Sequence, residues 1–546
     1  MKRAIKVVAL MAVLSAATAV SQTKEATQEF MNALRTDLGL TESWTGDDYC
    51  NWPDVGCDGI NAFVGSSAPF TIASGTPIPN FDDAAYAAVD FSQVAVAGLS
   101  FLNSSLTGTL PSSWSKLTSL TFIDFSDSIG VSGVIPDSWA ALTELASLGL
   151  ARTSVQDDVF IDEFSAWTKM EWLDVTGTSI TGSIPASYSS WAAMLEFYAA
   201  GCTGLVGAIP DWSATLTILD LSDTGVTGTI PTGYGSGPLE QLDLGGCTGV
   251  TGEIPAQLAT STTIEILHLG SSGVTGSIPD LSGMTILREL DLSLTGVTGV
   301  APALPPSIVN ANFERVALTG AFPTSWAALS KLVTLNAVST TIAGPIPDLS
   351  GMTALRTLLL TESTVDGALP TALPPRIVKL SLDGTAVTGG LPDSWSKYTT
   401  LQELSLADTA LCGSLPPSWG ETLTLTKLRL PDAICGCAPA SWKQSALQEA
   451  VADTPAGDAA TCYTDNACSA TSCPAAGTYT CDVEHCAYCL TGTENVCGHC
   501  EDGFTLEGSG CTRQSDTPQG DSALFGSQKT LLSVLMTVSA LLVFVA

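Results

Sequence analysis

The chain has 546 residues, a formal charge of −34 and 16 cysteines. So large an acidic excess argues against nucleic acid and against direct binding to anionic lipid, which both need clustered cations. His268, His485 and His499 are the only histidines. None has a nucleophile or carboxylate at a motif-like spacing, and no G-x-S-x-G, phosphate loop or H-E-x-x-H occurs, so we expect neither catalysis nor a cofactor.

Residues 1–19 have a basic start (Lys2, Arg3, Lys6), an apolar run and Ala17-Thr18-Ala19 before a cleavage point, the pattern of a secretory signal. Residues 20–95 read as an N-terminal cap. Phe30, Leu34 and Leu38 recur at helical spacing, predicting a short amphipathic helix before Trp44. Cys50 and Cys57 then flank Trp52 in a segment that resembles the N-terminal cap of plant-type leucine-rich repeats. That resemblance implies a Cys50–Cys57 disulfide.

From 96 to 442 one phrase keeps returning: a Gly, one residue, an apolar residue, then Pro. It reads TGTLP at 107–111, SGVIP at 132–136, TGTIP at 227–231, TGEIP at 251–255 and TGSIP at 275–279, and runs on to CGSLP at 412–416. A period of about 24 residues predicts a solenoid of about 14 coils, each burying its apolar face on the next. In a clean unit, Leu219 and Leu221 alternate with polar residues as in a short strand with one buried face. Val226 and Ile230 turn inward after it. Gly228 is expected where the chain bends and a Cβ would obstruct. Pro231 fixes φ, so the return is irregular or 3₁₀-like. The predicted fold is a curved, right-handed leucine-rich-repeat solenoid with a parallel sheet on its concave face, followed by a small disulfide-rich module.

Three columns run through the repeat. Thr153, Thr178, Cys202, Thr224, Cys247, Ser272, Thr295, Thr340, Ser363, Thr385 and Thr409 take the position usually held by Asn in leucine-rich repeats, where a small polar group satisfies open backbone. Cys202 and Cys247 stand two coils apart, too far for a disulfide. A second column, Trp114, Trp139, Trp326, Trp395, Trp419 and Trp442, follows the Pro and is expected to pack between coils on the convex side. The third is acidic. Asp124, Asp174, Asp220, Asp243 and Asp291, with His268, lie between the inward residues of successive strands. These are the candidate ligand-binding residues of the concave face, either a docking stripe for a basic partner or cation, or simply a solvated face. From Asn312 onward the column becomes mixed (Leu359, Ser381, Ser405, Arg429). The one glycosylation sequon is at Asn103, just past the first clear strand.

Cys412 and Cys435 share a register in adjacent coils, with backbones about 5 Å apart and within disulfide reach. Cys437 and Cys462 would close the cap beyond; the C-terminal cap and linker are expected at 443–480. Cys481, Cys486, Cys489, Cys497, Cys500 and Cys511 make an EGF-like module at 481–513. Its two C-x-x-C pairs beside His485 and His499 also have zinc-site chemistry, but a secreted, Cys-dense module favours disulfides. A short tether at 514–522 ends in the small cluster Gly520, Asp521 and Ser522, ahead of a spacer and an apolar tail in 523–546. That order matches a glycosylphosphatidylinositol (GPI) signal, with Gly520, Asp521 or Ser522 as attachment point; a single-pass helix is the alternative.

This order of parts resembles the promastigote surface antigens of trypanosomatid parasites. The match is carried by LSLADTALCGSLPPSW at 404–419, TAVTGGLPDSW at 385–395 and the Cys-rich stretch at 481–511. The long Thr/Ser-rich stalk of that family is absent here, and the repeat number is large. The resemblance implies a GPI-anchored surface glycoprotein of the plasma membrane, without catalytic residues, that contacts an extracellular protein or glycan ligand. We expect it to be monomeric. The rival readings are an acidic structural coat, and an ectodomain like those of plant-type receptors or polygalacturonase inhibitors.

Overall fold

A computed structural model describes residues 24–58, 61–65, 72–158, 160–212, 214–431, 433–434 and 440–442, and the four strands 486–489, 497–500, 504–507 and 510–513. The signal at 1–19, Cys435, Cys437, Cys462, Cys481 and everything from 514 onward, including Gly520, Asp521, Ser522 and the apolar tail, lie outside the described residues. Among the described residues no helix is long and apolar enough to cross a membrane.

The cap helix, Lys24–Asp37, carries Glu25 in its first turn and Arg35 in its last, each opposing the helix dipole favourably. Phe30, Met31 and Leu34 form its buried face. It stops where Gly39 adopts a positive φ of 68°, and Leu40 N–H reaches back to Arg35 O at 2.9 Å, a Schellman closure. Trp44 stacks on Trp52 at 5.4 Å, with the Arg35 guanidinium 4.9 Å from the Trp52 ring. The Cys50–Cys57 disulfide is present, with Cα atoms 5.6 Å apart. It pins the hairpin Val55–Asp58/Asn61–Val64, whose second strand pairs parallel with Val96–Ser100. The cap is therefore the first part of the concave sheet rather than a separate lid.

That sheet has 17 strands and runs in register to Lys427–Arg429. The middle residue of each repeat strand points inward: Ile123, Leu148, Leu173, Phe197, Leu219, Leu242 and their successors to Leu428 are at most 2% exposed. Burying one such side chain contributes roughly 2 kcal/mol. Because every column repeats, the core is a continuous rod with no need of a central globule.

A second parallel sheet follows the first and was not anticipated. It has 10 strands, from Gly108–Thr109 to Ala317–Thr319, and a four-stranded continuation from Ala343–Pro345 to Ala410–Leu411. The Gly-Val-Thr-Gly-x stretch alternates in burial, with Val226, Val250, Val274 and Val297 inside. That period-2 signal was in the sequence. Gly228 needs a correction too. A Cβ there would meet only Ala208 at 3.9 Å, so space is not the constraint; its φ of +97° is.

The convex return is built of 3₁₀ turns opened by Pro, such as Ser112–Lys116 after Pro111 and Asp393–Lys397 after Pro392. All six tryptophans of the predicted column are fully buried. They stack coil on coil (Trp114–Trp139 at 5.8 Å, Trp419–Trp442 at 6.2 Å). Each indole N–H donates to a carbonyl of the preceding coil, as Trp139 does to Pro111 O at 2.9 Å. Trp167, Trp191 and Trp212 fill the same pillar without the Pro-x-x-Trp phrase. The small polar column behaves as expected. Thr153, Thr178, Thr224, Ser272 and Thr409 donate to the carbonyl three residues back at 2.6–2.8 Å. Cys202 and Cys247 are buried free thiols donating to Val175 O and Leu221 O.

At the far end Cys412 is disulfide-bonded, and Gly413 bridges to Ile434 beside the expected partner Cys435. The C-terminal unit, 474–546, contains two antiparallel hairpins. The first sets Cys486 opposite Cys500 and Cys489 opposite Cys497; Cys511 lies on the last strand.

Candidate ligand-binding face

The last residues of the concave strands form one row, in which register places Tyr198, Asp220, Asp243, His268 and Asp291 side by side on consecutive strands. Asp124 and Asp174 belong to the same row, separated by Gly149. Pairing brings all six candidates onto one face.

The side chains are not free. Asp124, Asp174, Asp220, Asp243 and Asp291 each accept the backbone N–H two residues on, at 2.8–3.1 Å. This Asx turn satisfies an N–H at the bend leaving the sheet. One residue later the chain enters the left-handed region at Asp127, Asp223, Ser271 and Leu294, with φ of 54–64°. The column is thus half structural. Asn312 and Asn336 make the same contact at 3.2 Å, so a neutral amide serves the turn equally well.

Charge is what the carboxylates add, and at Asp124 and Asp220 it comes at a cost. Burial pushes Asp124 up to about 6 against the hydrogen bonds of Ser126. Burial, and then the neighbouring Asp243 charge, push Asp220 up to about 6. His268 Nδ1 lies 3.1 Å from Asp243 Oδ2. Burial opposes its positive charge, but the Asp243 contact and the fields of Asp291 and Glu289 win, and its basicity is raised. Asp127, bound bidentately by Arg152, is lowered by that hydrogen bond.

Other residues of the face escaped the sequence reading. Trp172, Ile218 and Ile266 are half-buried just before the inward Leu of their strands, and Tyr198 donates its hydroxyl to Glu196 at 3.0 Å. Trp172, Ile218 and Ile266 had a signal in standing two residues before a column residue, whereas Tyr198 occupies the column itself. Leu294, 49% exposed with positive φ, borders the row at Asp291. Among the described residues no group of three His, Cys, Asp or Glu is arranged to hold a metal ion.

No protein-family model matches the chain, and no curated protein matches it in sequence. Solved structures do. The crystal structure of PEPR1–AtPEP1 aligns over 64% of this chain and 53% of its own, at 21% identity and TM-score 0.54. A TDR receptor aligns over 65% and 66%, at 22% identity and TM-score 0.57. The fold is a leucine-rich-repeat solenoid. A third leucine-rich-repeat neighbour, the plant peptide hormone receptor RGFR1 in complex with RGF2, aligns over 66% and 70% at 20% identity and TM-score 0.50. The chain spans about half of the first structure and just under two thirds of the second.

The Asn precedent gives a direct prediction for this leucine-rich-repeat face. Asp220 holds its proton more tightly folded, near 6, than unfolded, near 4, so stability falls as pH rises from about 4 to about 6 and the charge is a burden above that. Asp220→Asn should keep the turn and raise stability at neutral pH by about 1–3 kcal/mol. Denaturation of both proteins at neutral and acid pH checks this: the gap should close in acid. A destabilised variant at neutral pH would show that the turn needs a carboxylate.

Proposed function

We propose that the protein is a GPI-anchored surface protein of the promastigote surface antigen type that binds an extracellular protein or glycan through its concave face. The observation that carries the reading is the presence of carboxylates, one buried and four half-buried, at five bends of a kind that Asn312 and Asn336 hold elsewhere in the row with a neutral amide. At Asp124 and Asp220 burial makes that charge costly, and local rules are broken at a stability cost mainly where function demands it. An acidic row beside the half-buried Trp172 suits a basic segment of a protein partner, with an aromatic anchor and charge steering. The RGFR1 neighbour, in complex with RGF2, supports the use of this fold to hold a polypeptide. Asn103 is exposed on a positive-φ turn, where a glycan fits.

The test is charge reversal. Asp220→Lys, Asp243→Lys and Asp291→Lys together should reduce attachment of the secreted protein to its target cells about tenfold or more. Unchanged attachment would favour the acidic coat, a reading supported by the net charge of −34. The anchor is checked separately: phosphatidylinositol-specific phospholipase C or nitrous acid should release the protein from cells, and retention after both would indicate a spanning helix.

A further inference from the structure

Cysteines stand at both ends of two short strands in the C-terminal unit, Cys486–Cys489 and Cys497–Cys500. The strands pair antiparallel, which sets Cys486 opposite Cys500, Tyr488 opposite His499, and Cys489 opposite Cys497. The register slips between these pairs, so each strand carries one residue without an opposite number, Ala487 on the first and Gly498 on the second.

We propose that this hairpin is closed by two nested disulfides, Cys486–Cys500 and Cys489–Cys497, which leave none of the four thiols for zinc or for the rest of the chain. The inference takes from the surface reading above only its oxidising surroundings. Register chooses the partners.

Distance decides among the pairings. Residues directly opposite on antiparallel strands have Cα atoms about 4.5–5.5 Å apart, inside the roughly 4.4–6.8 Å that a disulfide spans. The crossed alternatives, Cys486 with Cys497 and Cys489 with Cys500, are offset by two to three residues along the strands, about 7–10 Å. Combined with the strand separation, that offset sets their Cα atoms roughly 9–11 Å apart, beyond the reach of a disulfide. Pairing within a strand fails for the same reason. Cys486 and Cys489 are separated by three extended residue steps, about 10 Å, as are Cys497 and Cys500. Cys511 stands opposite Leu506 in the second hairpin, Phe504–Glu507 with Gly510–Arg513, and so opposite none of the four.

The same spacing argues against a metal. Zinc gathers four thiolates at about 2.3 Å, and a C-x-x-C pair grips it from a tight turn. Here each C-x-x-C is extended, and the two cross-strand pairs are about 7–10 Å apart along the hairpin.

Chain energetics favour the bonds. An isolated two-stranded hairpin is marginal in water, and a small module without a large core is held by cross-links. Disulfides are already present at Cys50–Cys57 and at Cys412. Each bond of the hairpin forms as two thiols give up two protons and two electrons to a protein disulfide of the secretory pathway, which becomes a dithiol. The inner loop lies wholly within the outer one, so closing either bond brings the other pair together.

The test uses the full chain recovered from the cells that make it, with free thiols blocked by N-ethylmaleimide at lysis. Unreduced protein is cut after Tyr488, Glu494 and Glu501, which separates Cys486 from Cys489 and leaves Cys497 and Cys500 on one peptide. Mass-spectrometric fragmentation between Gly498 and His499 then assigns the partners. The fragment with Cys497 should carry the Cys489 peptide, and the fragment with Cys500 the Cys486 peptide. The opposite assignment, or a bond from any of the four to another cysteine, would overturn the pairing and leave the surface reading standing. Four blocked, unpaired thiols would sink both. Substitution gives a second readout. Cys486→Ser with Cys500→Ser should leave the count of reactive thiols in denaturant as in the wild type, whereas Cys486→Ser with Cys497→Ser should raise it by two. A rise in the first variant, or none in the second, contradicts the nested arrangement.

Discussion

Trp191→Ala should destabilise the solenoid by about 3–5 kcal/mol, the range for removing a fully buried indole. Trp191 stands in the convex pillar between Trp167, at 6.2 Å, and Trp212, at 6.2 Å, and stacks on Tyr188 at 3.9 Å. Its indole N–H donates to Phe164 O at 3.0 Å, so truncation also strands a buried carbonyl. The loss is not spread over the molecule. Each coil touches only its neighbours, so the lesion should divide one cooperative unit into two. Denaturant unfolding followed by tryptophan fluorescence should show a second, earlier transition. A single transition with an unchanged midpoint would contradict the pillar as a stabilising element.

Gly235→Ala should be nearly as damaging, for a steric reason. Gly235 ends the 3₁₀ turn Thr232–Gly235 and is buried against the next coil. A Cβ there would fall 2.2 Å from Gln257 C and O and 2.6 Å from Leu258 N, which are backbone atoms unable to rotate aside. The coils would have to part, at about 3 kcal/mol. Gly228→Ala is the control. It meets nothing closer than 3.9 Å and should cost only about 1–2 kcal/mol, through its positive φ. Thermal unfolding of the two variants gives the comparison; equal losses would mean that the coils do not approach as closely as they do here.

Much of this architecture was legible in the residues. The Gly-x-apolar-Pro period set the coil length, and Leu219-Asp220-Leu221 set the strand and its inward face. The small polar column and the Trp column each have one physical job repeated in every coil, which is why a linear pattern reveals them. The second sheet was less visible. The alternation around Val226 is only four or five residues long and ends in Gly228 and Pro231, so it reads as a turn until the ladder to neighbouring coils makes it a strand. Trp191 and Trp212 were hidden because they reach the pillar from a different register. The acidic row was found, but its hydrogen bonds were not. An Asx turn depends on the backbone two residues ahead, and its cost depends on burial. Neither is written in the identity of an Asp. The contrast between Asp220 and Asn312, which share one contact and differ in charge, emerged only when both were placed at the same bend.

Hydrogen exchange is the most direct test of the concave face as a binding surface. The partner would be one that the wild-type protein captures and the Asp220→Lys, Asp243→Lys, Asp291→Lys variant does not. Bound and free protein are then compared coil by coil. Slowed exchange should be confined to the strands from Trp172–Asp174 to Glu289–Asp291 and the bends that follow them. Slowing on the convex tryptophan turns or in the hairpins after 486, with the acidic row unchanged, would contradict the account.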